Sequence, residues 1–208
     1  MAIISVLGNK GGCGKTTLSV NIASCLSENS SVVLLDADRQ QSAYHWYRIG
    51  NDQSPLQVIS SAKNLQQILD ENLRITEHVV IDCPPSVKQK NTQIAIANSD
   101  WIIIPVLPSP LDIWTNADIE QEISNAQKSN PQLKAMFVIN QYDSRTMLSK
   151  AIRAAVEQLS IPLAKTAIKR RIVYPTSILE GKSVFTLNRA HAAREEIEAL
   201  LKETGLIS

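Results

Sequence analysis

The sequence predicts a single α/β domain over residues 1–208, a mainly parallel sheet with helices on both faces. Three observations point there. Short apolar runs rich in β-branched residues alternate with stretches of helical periodicity, as expected of parallel strands buried on both sides. A glycine-rich segment, Gly8-Asn9-Lys10-Gly11-Gly12-Cys13-Gly14-Lys15-Thr16-Thr17, stands between the first such run and the first helical stretch. Each later motif that carries chemistry falls at the carboxyl end of an expected strand, the edge at which open α/β sheets bind ligands.

Taken in order, the apolar runs predict strands at 3–7, 32–35, 79–81, 101–106 and 136–139, with fainter patterns at 56–59 and 163–166. Pro105, inside the fourth of the main runs, is expected to end regular pairing there. Helical periodicity predicts helices at 15–27, 42–49, 64–72, 89–97, 111–128 and 146–159. A last helix is expected over 190–202, with Gly205 as its stop signal.

The glycine-rich segment is built for an anion. Glycines let the backbone curl so that successive N–H groups face one point, and a helix N-terminus adds partial positive charge. Lys15 then reaches outer phosphates and the Thr16 hydroxyl is available to Mg2+. A strict G-x-x-x-x-G-K-[ST] would need glycine at Asn9, so this loop is a variant, with a second lysine, Lys10, inside it.

Composition narrows the class. A chain of 208 residues buries one good core, and no run is long enough to span a bilayer. The first strand begins too early to leave room for a signal peptide or an N-terminal helix-turn-helix domain. Cys13, Cys25 and Cys83 lack C-x-x-C spacing, which fits reduced thiols in the cytoplasm rather than disulfides or zinc. The net charge of +1 hides an asymmetry: residues 150–194 hold nine Lys/Arg against two Glu, while the rest holds 12 basic against 18 acidic residues. Such a basic stretch is either a nucleic-acid footprint or a set of solvated helix faces.

Acidic residues complete the expected site. The second strand runs into Asp36-Ala37-Asp38-Arg39-Gln40-Gln41, where two carboxylates two residues apart point the same way. They are placed to hold Mg2+ through water or to orient an attacking water. The strand over 79–81 ends in Asp82-Cys83-Pro84-Pro85, a carboxylate positioned for Mg2+ followed by a stiff loop. Asn140-Gln141-Tyr142-Asp143 has the spacing of the N-K-x-D guanine reader, with glutamine in place of the lysine.

The whole chain resembles the ParA/MinD family of P-loop ATPases with a deviant Walker A motif. The match starts at K-G-G-x-G-K-T-T (Lys10 to Thr17) and continues through D-x-D (Asp36, Asp38) and D-x-P-P from Asp82. The P-S-P-L-D stretch ending at Asp112, the arginine-rich turn Lys169-Arg170-Arg171 and the late G-x-S-V from Gly181 are similar to small plasmid-partition ParA proteins of the ParF type. One departure is Arg39, where the family pattern D-x-D-P-Q has proline.

The resemblance implies roles. Lys10 would reach the nucleotide of a partner subunit, Lys15 would bind phosphate, and Asp38 would position water. Gly11, Gly12, Cys13, Gly14, Lys15, Thr16 and Thr17 would cradle the phosphates, with Thr16, Asp36 and Asp82 in the metal shell. Asn140 would contact adenine, and backbone near Tyr174 and Pro175 would line the base pocket. Asp112 would lie at a dimer surface, and Trp114 either there or, as its size favours, packed in the core. The expected ligands are ATP or ADP with Mg2+, and the expected partners are a second copy, a ParB-like or other adaptor protein, and DNA. Lys169, Arg170, Arg171 and Arg189 are the candidates for DNA contacts, in a nucleoid-associated cytoplasmic protein. A membrane-surface ATPase like MinD would carry a longer, more basic terminal amphipathic helix than 200–208 offers. The metabolic branch of the same fold includes reductases that hold an iron–sulfur cluster between subunits, and the three cysteines match no such site.

Overall fold

The computed structural model describes residues 1–50, 56–109 and 117–207. Six strands form one sheet: β1 Ala2–Val6, β2 Val32–Asp36, β3 Gln57–Ser60, β4 His78–Asp82, β5 Trp101–Val106 and β6 Lys134–Ile139. All pairs are parallel and the order is β3-β2-β4-β1-β5-β6. The chain moves outward from β1 in both directions, so the crevice above β1 and its neighbours is where a ligand is expected.

Eight helices lie among the described residues: α1 Lys15–Leu26, α2 Ser42–Ile49, α3 Leu65–Asn72, α4 Lys90–Asn98, α5 Ala117–Ser129, α6 Met147–Val156, α7 Val173–Leu179 and α8 His191–Thr204. They divide between the two faces. Ile4, Val6, Leu34, Val80, Ile103 and Val138 point to one side and pack on α1, α2, α7 and α8. Ile3, Leu7, Leu35, Ile81, Ile104 and Phe137 point to the other and pack on α3, α4, α5 and α6. That alternation is the period of two that a pleated strand imposes, with apolar partners on both sides. Gly205, at φ 74°, closes α8 in the left-handed conformation open to glycine.

Three expectations are corrected. Pairing does not stop at Pro105, which sits in register with Val138 while Val106 pairs with Ile139. Leu7 donates to the Ile103 carbonyl, so alternate residues of β5 face β1, and Pro105 is the next of these. By that point β1 has ended, and the missing N–H costs no ladder bond. Residues 163–166 form no strand, only an isolated bridge from Leu163 to Phe137. The N–H groups of Lys165 and Thr166 instead donate to the Glu203 carboxylate, at 2.7 and 2.6 Å. Helix α7, Val173–Leu179, falls where the sequence predicted no element. Pro175 is tolerated because it falls in the first turn, where N–H groups lack helical partners anyway. Asp112, Trp114 and the start of the helix expected from residue 111 lie outside the described residues.

Candidate functional site

The β1–α1 loop is shaped by two glycines in the left-handed region, Gly12 at φ 78° and Gly14 at φ 94°. Gly14 caps α1, and no acidic residue stands in the helix's first turn, so its N-terminal N–H groups keep their pull on an anion. Lys15 is buried, and its Nζ donates to the Lys10 carbonyl at 2.8 Å, folding the ammonium back over the loop. Lys10 carries that carbonyl, and its side chain does not line the cleft of its own chain.

Beneath the loop sits Asp82, at the end of β4 and directly in register with Asp36 on β2. Asp82 accepts from the Thr16 hydroxyl at 2.6 Å and from the Ser19 hydroxyl at 3.1 Å. Burial pushes its carboxyl up to about 7, and the neighbouring Asp36 adds to the rise against these hydroxyls and Lys15. Asp36 is also buried and raised by burial, and it accepts from the N–H groups of Tyr44 and Asp38. A hydroxyl and two carboxylates at one point are hard oxygen donors, suited to Mg2+ with waters and phosphate oxygens filling the remaining positions. Thr16 and Asp82 fit that role best; Asp36 is largely occupied in holding the start of α2. When bound, the metal would neutralise charge on the phosphates. Among the described residues there is no cluster of three or more His, Cys, Asp or Glu that could hold a metal by itself.

A cleft of about 1110 Å3 opens over this point. Its walls bring together Gly11, Gly12, Gly14, Lys15, Thr16 and Thr17 of the loop, Asp38, Pro85, Asn140, and the segment from Lys169 to Pro175. Residues remote in sequence therefore meet in one place. Asp38 is half-buried and holds the β2–α2 turn by accepting from the Gln40 N–H. Cys13 is buried below the loop, and Arg189 is exposed away from the cleft.

Two of the expected contact residues are also bonded within the chain. Asn140, in the cleft wall, is tied to the loop: its Nδ2 donates to the Cys13 carbonyl at 2.7 Å, and its Oδ1 accepts from Gln141 N–H. Arg171 is held by Glu196, at 2.6 Å from Nη2 to Oε1, so its charge is already paired. The Asp143 carboxylate, the would-be guanine reader, is gripped by Arg145, whose guanidinium holds its pKa down at about 2.

Sequence reasoning missed several residues. Asn9, read only as a departure from glycine, accepts from the Val87 N–H at 3.1 Å and so ties the loop to the Pro84-Pro85 segment. Glu196 accepts from Arg171, from the Lys169 N–H and from the buried Tyr174 hydroxyl, fixing the far wall of the cleft. Glu196 is a charged residue on the buried side of α8, and that misplaced charge was the only signal in the sequence.

A glycine-rich turn into a helix N-terminus, with Lys, Thr and Asp converging on it at a parallel-sheet edge, defines a P-loop nucleotide-binding fold. Residues 4–185 match the family model of the CobQ/CobB/MinD/ParA nucleotide binding domain, and the chain belongs to that family. The maintenance of carboxysome distribution protein A of Halothiobacillus neapolitanus is 39% identical over 204 residues, which cover 96% of this chain and 94% of that protein. Among solved structures, apo McdA of Cyanothece superposes with a TM-score of 0.79 at 14% identity, covering 99% of this chain and all of that one. Cobyrinic acid a,c-diamide synthase of Mycobacterium smegmatis, with a bound ATP analogue and magnesium, superposes at 0.78 and 23% identity, covering 98% and 95%. At such identities the two structures establish the fold alone.

Proposed function

We propose that the chain is an ATPase that dimerises around two ATP molecules, binds DNA without sequence preference in that state, and positions a cargo through a partner protein that stimulates hydrolysis. The observation that carries the nucleotide reading is that Lys15, Thr16 and Asp38 line one cleft, with Asp82 bonded to the Thr16 hydroxyl beneath it. In this reading the loop N–H groups and Lys15 hold the phosphates, Thr16 and Asp82 hold Mg2+, and Asp38 orients the water. Lys10 turns from its own cleft toward that of the second copy. Gln141, where the N-K-x-D guanine reader has lysine, supports adenine over guanine.

The cargo reading rests on likeness over nearly the full length to a protein named for carboxysome distribution. A protein compartment is therefore favoured as cargo over a plasmid or chromosome. A membrane as the surface it rides is disfavoured, because Leu200 and Leu201 of α8 are fully buried in the core. No helix among the described residues is long and apolar enough to cross a membrane. The test is binding to a random-sequence duplex with ATP, with ADP and without nucleotide, over a salt series. The expected result is binding with ATP alone, weakening as salt rises. ATP-driven dimers that bind no duplex would refute the DNA part of the reading.

A further inference from the structure

A second groove, of about 680 Å3, opens at the same sheet edge, between the N-terminal ends of α3 and α4. It is lined by Arg39, Lys63 and Lys90, together with carboxamides and apolar groups, and by no carboxylate among the described residues. All three cations are exposed, and none has an ion-pair or hydrogen-bond partner for its side chain among the described residues. They come from three separate segments, the β2–α2 turn, the β3–α3 turn and the first residue of α4. No acidic residue occupies the first turn of either helix, so nothing there offsets the positive potential. The floor is fixed: Asn91 Nδ2 donates to the carbonyls of Ala37 and Ala62, at 2.9 and 2.8 Å, fastening the two turns together.

We propose that this groove binds phosphate groups of a nucleic-acid backbone, outside the nucleotide cleft. The inference rests on the DNA reading above and gives it a different surface. Lys169, Arg170 and Arg171 line the nucleotide cleft and Arg171 is paired with Glu196, whereas Arg39, Lys63 and Lys90 have no ion-pair partner among the described residues. The groove is far larger than one phosphate, and its cations are spread over three segments, an arrangement that follows a chain of charges rather than a single ion. Phosphate contact needs charge without a base code, and nothing in the groove is arranged to read base edges. Arg39 stands where the family pattern has proline, so this chain has one more cation here than that pattern supplies.

The groove shares a wall with the nucleotide cleft. Along the β2–α2 turn, Asp38, Gln40 and Ser42 line the cleft while Arg39 and Gln41 line the groove.

The test is duplex binding by the full chain with ATP, comparing the unmodified protein with a Lys63→Gln/Lys90→Gln variant. A Lys128→Gln/Lys202→Gln variant, carrying two exposed lysines elsewhere, is the control. ATP affinity of each variant reports that the fold is intact. The groove variant is expected to bind duplex at least about tenfold more weakly, with a log–log salt slope lower by about two, and the control to match the unmodified protein. Equal binding and an equal slope in the groove variant would overturn the proposal while leaving the DNA reading standing. No duplex binding by the unmodified protein would overturn both. Competition by poly-glutamate as effective as unlabelled duplex, at matched charge concentration, would overturn the assignment to a nucleic-acid backbone.

Discussion

Gly14 has the Asn140 carboxamide where a Cβ would stand, and it holds φ 94°. Substitution by alanine therefore meets both a strained backbone and a blocked approach. Gly14→Ala is expected to lower stability by about 1–3 kcal/mol, read as a lower denaturation midpoint, and to remove measurable ATP binding. An unchanged ATP affinity would show that the loop has more latitude than this geometry allows. At the scale of single residues the sequence was informative where chemistry depends on spacing. Lys15, Thr16, Asp38 and Asp82 were all legible, because a phosphate loop and strand-end carboxylates have fixed offsets. Asn9 and Glu196 were not, because each acts through a contact with chain far away in sequence. Asn140 was legible as a site residue, but spacing gave no sign that its amide would be tied to Cys13.

Between elements, the far wall of the cleft depends on one buried carboxylate. Glu196 of α8 joins Arg171, Tyr174 and the Lys169 backbone, so α8 fixes the segment leading into α7. Glu196→Gln keeps the shape but loses the charge that Arg171 needs. A hydrogen bond to a charged group contributes about 1.5–3 kcal/mol, and a loss of that order is expected in chemical denaturation. Weaker binding of ATP with unchanged binding of pyrophosphate is expected as well, since the proposed nucleotide pose sets this wall against the base and not the loop. Equal loss for both ligands would contradict that division. Most elements were predictable within a residue or two because their apolar periods are clean. The failures at 163–166 and 173–179 share a cause. Both segments are short, and their backbone partners are a Glu203 side chain in one case and a first-turn proline position in the other, which periodicity does not report.

Across the whole molecule, two apolar layers seal the cysteines from solvent. Burial pushes the Cys25 thiol up to about 12 from 9.0, with Glu198 and Glu28 adding to the rise, and burial raises Cys83 in the same direction. An acid whose pKa is higher in the folded state contributes its full stability below the unfolded pKa and loses it as pH rises through the folded value. Stability is therefore expected to be flat from neutral pH to about 9 with respect to these thiols, then to fall toward pH 12. Urea midpoints measured at pH 7, 9 and 10 check this, and a Cys25→Ala variant should show a shallower decline. A decline just as steep in that variant would assign the effect to other groups.

In the proposed mechanism Asp38 orients water in a cleft whose other residues bind ATP and assemble the dimer without it. The most direct measurement is phosphate release alongside ATP-dependent dimer formation, for the unmodified chain and for Asp38→Ala, in the presence of Mg2+. Both proteins are expected to bind ATP and form dimers, with phosphate released by the unmodified chain alone and dimers of the variant persisting. Near-normal turnover by Asp38→Ala, or a variant unable to bind ATP, would contradict the role assigned to this residue.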